Sequence, residues 1–136
     1  MGRFEEFNDN YTNTVKDGID TREIQEREGF THISDYEGGA IMVDGFFFNN
    51  AGKYGEQVVI VGRKAERING GYKASGAEHL INVPKRYTDK FHKFAASPEL
   101  MDAIFHEALA IDGIKPVKAK NGPTTIFDLR DNSHFE

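Results

Sequence analysis

The sequence predicts a mostly β domain of the α+β class, five strands with helices inserted between the third and the fourth. Three observations predict it. Residues 40–48, AIMVDGFFF, and 57–64, QVVIVGRK, are dense in β-branched and aromatic residues and flank a connection, NNAGKYGE, full of turn formers. Residues 84–109 change to helical spacing of apolar side chains. Residues 114–120 and 124–130 then return to strand composition around Asn121-Gly122, the strongest short hairpin signal.

Taken in order, residues 1–19 are polar and show no sustained period, which marks an arm that is mobile or ordered only by packing and dispensable for folding. Asp20-Thr21-Arg22-Glu23 has capping-box spacing, so a short helix can run to Glu28 and stop at Gly29, although a strand through Ile24 fits as well. Residues 1–28 are thus the N-terminal arm, 29–131 the single domain and 132–136 a frayed end; the segment 30–37 has no assignable structure. In the first hairpin, alternation puts Ile41, Val43, Gly45 and Phe47 on one face and Met42, Asp44, Phe46 and Phe48 on the other, with a bulge near Gly45 able to shift that register. Residues 65–79 read as loop because of Gly70, Gly71 and Gly76, and HLINV, beginning at His79, as a short third strand. Pro84 suits a first helical position, with Tyr87, Phe91 and Phe94 on one side. Ser97-Pro98 opens a second helix whose apolar face is Leu100, Met101, Ile104, Phe105, Ala108 and Leu109, ending at Asp112-Gly113. Three strands, a helical insertion and a hairpin is the order of an OB-fold, a small Greek-key barrel; an α+β sandwich shares it.

The chain has 136 residues and no cysteine, which excludes disulfide scaffolds, cysteine zinc sites, iron–sulfur clusters and thiol nucleophiles. Without a long apolar run or a leader-like N-terminus, the expected location is the cytoplasm. The formal net charge of −5 argues against a nucleic-acid partner until it is divided: residues 1–50 carry −7, residues 51–93 carry +5 and residues 94–136 carry −3. A basic centre between acidic ends can present a positive face on an acidic molecule.

No complete catalytic motif occurs, so no enzyme activity and no cofactor are expected. Gly52-Lys53-Tyr54-Gly55 holds a lysine between glycines but lacks the Ser or Thr of a phosphate loop, and Ser75 has no nucleophile elbow around it. The five histidines lack the i, i+4 spacing of a zinc pair. Glu99, Asp102 and His106 fall at i, i+3 and i+7, a spacing that could gather metal ligands but that a solvated helix surface also explains. No metal site is expected.

Aromatic and basic residues interleave in the basic centre. A sequence-tolerant single-strand binder needs cations to follow phosphates and flat rings on which bases stack. Phe46, Phe48, Lys53, Tyr54, Arg63, Lys64, Arg67, Tyr72, Lys73, Lys85 and Arg86 are the candidate nucleic-acid-binding residues, with Tyr54 and Tyr72 the foremost stackers because polar neighbours flank them.

Three blocks, DGFFFNNAGKYGEQVVIVG, LINVPKRYTDKF and KNGPTTIFDLRD, within residues 40–130 resemble the small single-stranded-DNA-binding-like proteins of phages and mobile elements in Gram-positive bacteria. The resemblance implies an OB-fold and a role as an accessory in DNA replication or recombination. The chain departs from many bacterial single-strand-binding proteins at its end, LRDNSHFE, which is not an acidic tail with an apolar tip. The expected partners are single-stranded DNA, a host or phage protein, and further copies of the chain. The alternatives are a protein-interaction or inhibitor module, such as a phage antagonist of a host defence, that binds no nucleic acid, and an enzyme built on Glu99, Asp102 and His106.

Overall fold

The computed structural model describes residues 14–49, 56–120 and 122–132. Helix α1 (Thr21–Glu28) is followed by β1 (Phe30–His32), a 3₁₀ turn over Ile33–Tyr36, and strands β2 (Ala40–Asn49), β3 (Gln57–Ile68) and β4 (Gly71–Asn82). A second 3₁₀ turn (Lys85–Tyr87) leads into α2 (Thr88–Ala95) and α3 (Pro98–Phe105), and β5 (Leu109–Ala119) and β6 (Gly122–Asp131) complete the chain. The strands form one curled, half-barrel sheet in the order β1-β4-β3-β2-β5-β6, antiparallel except for the β1–β4 pair. The mostly β class and the helices between the hairpins agree with the sequence. The strand number is six instead of five, because Phe30–His32, in the unassigned segment, adds to the edge of β4.

Local chemistry accounts for most element ends. The Asp20 carboxylate accepts from the backbone N–H groups of Arg22 and Glu23, and Gly29 closes α1. Ser97 caps α3 by accepting from Leu100 N–H. Two segments correct the sequence reading. The glycine-rich residues 65–79 are not a loop: β3 and β4 are each 12 residues long and meet at Asn69-Gly70, with Ala65 paired to Ala74 and Arg67 to Tyr72. Helix α3 ends at Phe105, where His106 and Glu107 turn the chain; Glu107 has φ 63°, and Leu109 already belongs to β5.

The bulge expected in β2 lies between Val43 and Gly45. It swaps the faces of the strand, so Ile41 and Val43 share their side with Phe46 instead of Phe47. On that side Ile41, Val43, Phe46, Val58, Ile60, Ile81 and Ile111 meet Phe91 of α2 and Met101 and Ile104 of α3. The opposite face is divided. Near β1, Val59, Val61 and Leu80 are covered by Ile24 of α1 and by Val15 and Ile19. Val15 bridges to Gly45, and Thr14 donates its hydroxyl to Phe46 C=O. A Cβ at Gly45 would stand 2.5 Å from both Thr14 O and Val15 Cα, so the approach of this segment requires glycine. Of the N-terminal arm, the part from Thr14 onward is ordered by packing on the sheet, one of the two states its sequence allows. At the other end of the same face, Met42, Tyr72 and Ala110 pack with Ala40, Ala65 and Ala74.

Tyr87 covers part of the outer edge of β6: its ring stacks on Phe127 at 4.0 Å and its hydroxyl accepts from Phe127 N–H. No helix among the described residues is long and apolar enough to cross a membrane.

Candidate nucleic-acid interface

The distal half of the β3–β4 hairpin curls over the face that carries Tyr72. In a flat sheet β4 and β5 would lie about 14 Å apart, three strand spacings, farther than a tyrosine side chain reaches. Tyr72 nevertheless donates its hydroxyl to the Asp112 carboxylate on β5, and its backbone N–H and C=O bond to the Asn132 side chain just beyond β6. Asn132 also donates to Glu107 C=O at 3.0 Å. Arg130 completes the group by donating to Asp112 at 2.7 Å and Asp128 at 3.2 Å.

Charge here is mostly compensated. Burial would raise the Asp112 pKa, but the Tyr72 hydroxyl and the Arg130 guanidinium outweigh it and hold the carboxyl below its ordinary value. The same contact, added to burial, pushes the Tyr72 phenol above its ordinary 10.0. Farther along the face Arg63 grips buried Asp44 with two 2.8 Å bonds and reaches Glu107 at 2.8 Å. The Asp44 carboxylate holds the guanidinium above its already high ordinary value.

Between the two hairpins lies a cleft of about 570 Å³. Its lining of small residues, Gly38, Gly39, Ala40, Ala65 and Gly113, leaves the space open. Gly113 suits this position, since its φ of 64° is a conformation that other residues rarely adopt. Arg67 stands on one wall and Lys115 on the other, and neither makes an ion pair among the described residues. Beyond the Tyr72–Asp112 contact a second cavity of about 270 Å³ runs past Arg130 to Asn132.

No family model, curated protein or solved structure matches the chain. The residues themselves must carry the functional reading.

The sequence-derived candidates separate into distinct environments. Phe46 is fully buried against Phe91, with ring centroids 5.0 Å apart, so its ring offers no face to a base. Phe48 is half-buried and stacked on His92 at 4.0 Å, while His92 bonds to Glu56. Tyr72 is only 9% exposed and serves as the cross-brace, so polar neighbours misled the reading of it as an open stacking ring. Arg63 is committed to Asp44 and Glu107. Lys53 and Tyr54 lie outside the described residues.

Lys64, Arg67 and Lys73 are exposed on the β3–β4 hairpin, with Lys64 and Arg67 on opposite faces by strand alternation. Lys85 and Arg86 are exposed on the turn before α2, with the Arg86 guanidinium 5.6 Å from the Tyr87 ring centre. The sequence reading overlooked Lys115, Lys118 and Lys120, which are exposed on and just after β5. Their signal was present, because residues 113–127 contain three lysines and no acid.

Glu99, Asp102 and His106 lie exposed on α3 and its cap. Among the described residues no three His, Asp or Glu side chains gather as metal ligands. His106 Nδ1 is 2.7 Å from Asp102 C=O, a local bond at a helix end.

Proposed function

We propose that the chain binds single-stranded nucleic acid, as an accessory of DNA replication or recombination in a phage or mobile element. The observation that carries this is a pair of cationic hairpins, of which Arg67 and Lys115 line the cleft. Lys64, Arg67 and Lys73 lie on one and Lys115, Lys118 and Lys120 on the other, all exposed and without an ion pair among the described residues. A meander, β2–β3–β4, joined through β2 to a β5–β6 hairpin and curled on itself supports reading the fold as a partly open OB-like barrel. Such barrels meet oligonucleotides with the face of their second and third strands and with the loops after the first and fourth. Here those are the β3–β4 hairpin, the connection from β2 to β3, and the turn beside Lys118 and Lys120.

With Phe46 and Tyr72 in packed positions, stacking falls to Tyr54, and phosphate contact contributes most of the affinity. Fluorescence anisotropy with a single-stranded oligonucleotide tests the reading. Contact with about four phosphates gives a slope of log K against log salt of about −3. Charge reversal at Lys64, Arg67 and Lys73 should flatten that slope. Absence of single-strand binding at low salt, or equal affinity for duplex, rejects the reading in favour of a protein-interaction module.

A further inference from the structure

The cleft between the hairpins is blocked at one end. The Tyr72–Asp112 contact crosses from β4 to β5 and separates the 570 Å³ space from the 270 Å³ cavity beyond it, and both residues line both spaces. The tip of the β3–β4 hairpin lines the smaller cavity, so a strand lying in the larger cleft from the Lys115 side meets the contact and cannot run past it while the contact holds. A through-going chain needs two exits, whereas a chain terminus needs one.

The charges of the cleft make the same distinction. Asp112 is occupied by Tyr72 and Arg130, and Asp128 by Arg130. Glu66 also lines the cleft, across the ladder from Lys73, and makes no ion pair among the described residues. Arg67 and Lys115 stand on facing walls as cations with no ion-paired acid among the described residues. An internal phosphodiester carries one negative charge. A terminal phosphate monoester carries about −1.5 to −2 at neutral pH, which better matches two cations. The guanidinium supplies a planar fork to the oxygens and the ammonium a point charge opposite.

We propose that this cleft receives the phosphorylated end of a single strand, its terminal phosphate held between Arg67 and Lys115. The inference rests on the single-strand reading above and adds to it a preference for ends.

The experiment compares oligothymidylates of about ten nucleotides, within the site size of one OB-like domain, bearing a 5′-phosphate, a 3′-phosphate or hydroxyls at both ends. One phosphorylated form should bind about tenfold more tightly than the hydroxyl form, and which one identifies the polarity of entry. Arg67→Gln and Lys115→Gln should each weaken the phosphorylated strand several-fold more than the hydroxyl-ended strand, whereas Lys118→Gln should weaken both strands alike. Equal affinity for all three strands overturns the terminus inference and leaves single-strand binding in place. If no strand binds, the single-strand reading fails, and thymidine 5′-monophosphate then tests the cleft alone. Binding that Lys115→Gln abolishes keeps the phosphate site, and no binding overturns it.

Discussion

Tyr72 joins parts of the chain that are far apart in sequence, and its contact with Asp112 ties stability to pH at both ends of the scale. In the fold its phenol titrates above the ordinary 10.0, so the contribution of the neutral hydroxyl is complete below pH 10 and is lost as pH rises through the raised value. Asp112 titrates below its ordinary 3.8, so its contribution is complete above that pH and is lost as pH falls through the lowered value. Denaturant unfolding measured across pH should therefore show a plateau between these limits. Tyr72→Phe should lower the plateau and flatten the alkaline limb, while Arg130 preserves part of the acid limb. An alkaline limb unchanged in the variant would show that the hydroxyl contributes nothing. The sequence made Tyr72 conspicuous through its glycine neighbours and hid its partner, because Asp112 is 40 residues away. Nothing in local composition signals a contact made by the curling of a sheet.

Elements whose signals are local were legible in the sequence. The Asp20 and Ser97 caps, the β2–β3 hairpin with its bulge at Gly45, and the β5–β6 pairing all follow from residues within a few positions of each other. Elements decided by packing were not. The Ala65–Ala74 ladder resembles loop in composition, and becomes strand because small residues there make room for the Tyr72 ring. Ala108 and Leu109 keep helical phase with Ile104 and Phe105, yet the turn at Glu107 ends the helix and β5 begins at Leu109. The amphipathic signal of α1 is weak for the same reason, since its one buried side chain, Ile24, closes a cluster formed by three residues of the sheet. Ile24→Ala should accordingly cost about 3 kcal/mol in urea unfolding. A loss below about 0.5 kcal/mol, the size of an ordinary surface change, would mean that α1 is an appendage after all. For the candidate site, the cations of the basic centre were visible as composition. The lysines of β5 became relevant only when the register brought the second hairpin beside the first.

For the molecule as a whole, the curl depends on one buried amide. Asn132 accepts from Tyr72 N–H and donates to Tyr72 C=O and Glu107 C=O, and is 5% exposed. Asn132→Ala leaves these backbone groups without their partner and should lower stability by about 2–3 kcal/mol. If the fold has a free energy of unfolding in the usual range for single domains, about 5–15 kcal/mol, that is a sizeable share of it; an unchanged unfolding midpoint would show that water replaces the amide without loss. A half-barrel that stops short of a closed ladder also keeps open margins, and open margins recruit other chains. The Tyr87 hydroxyl that takes Phe127 N–H removes one rung of the template β6 would otherwise offer to a neighbouring molecule. Tyr87→Phe keeps the stacked ring and frees that rung. The variant should thus fold with nearly native stability yet form light-scattering aggregates sooner on concentration, making Tyr87 a guard of solubility.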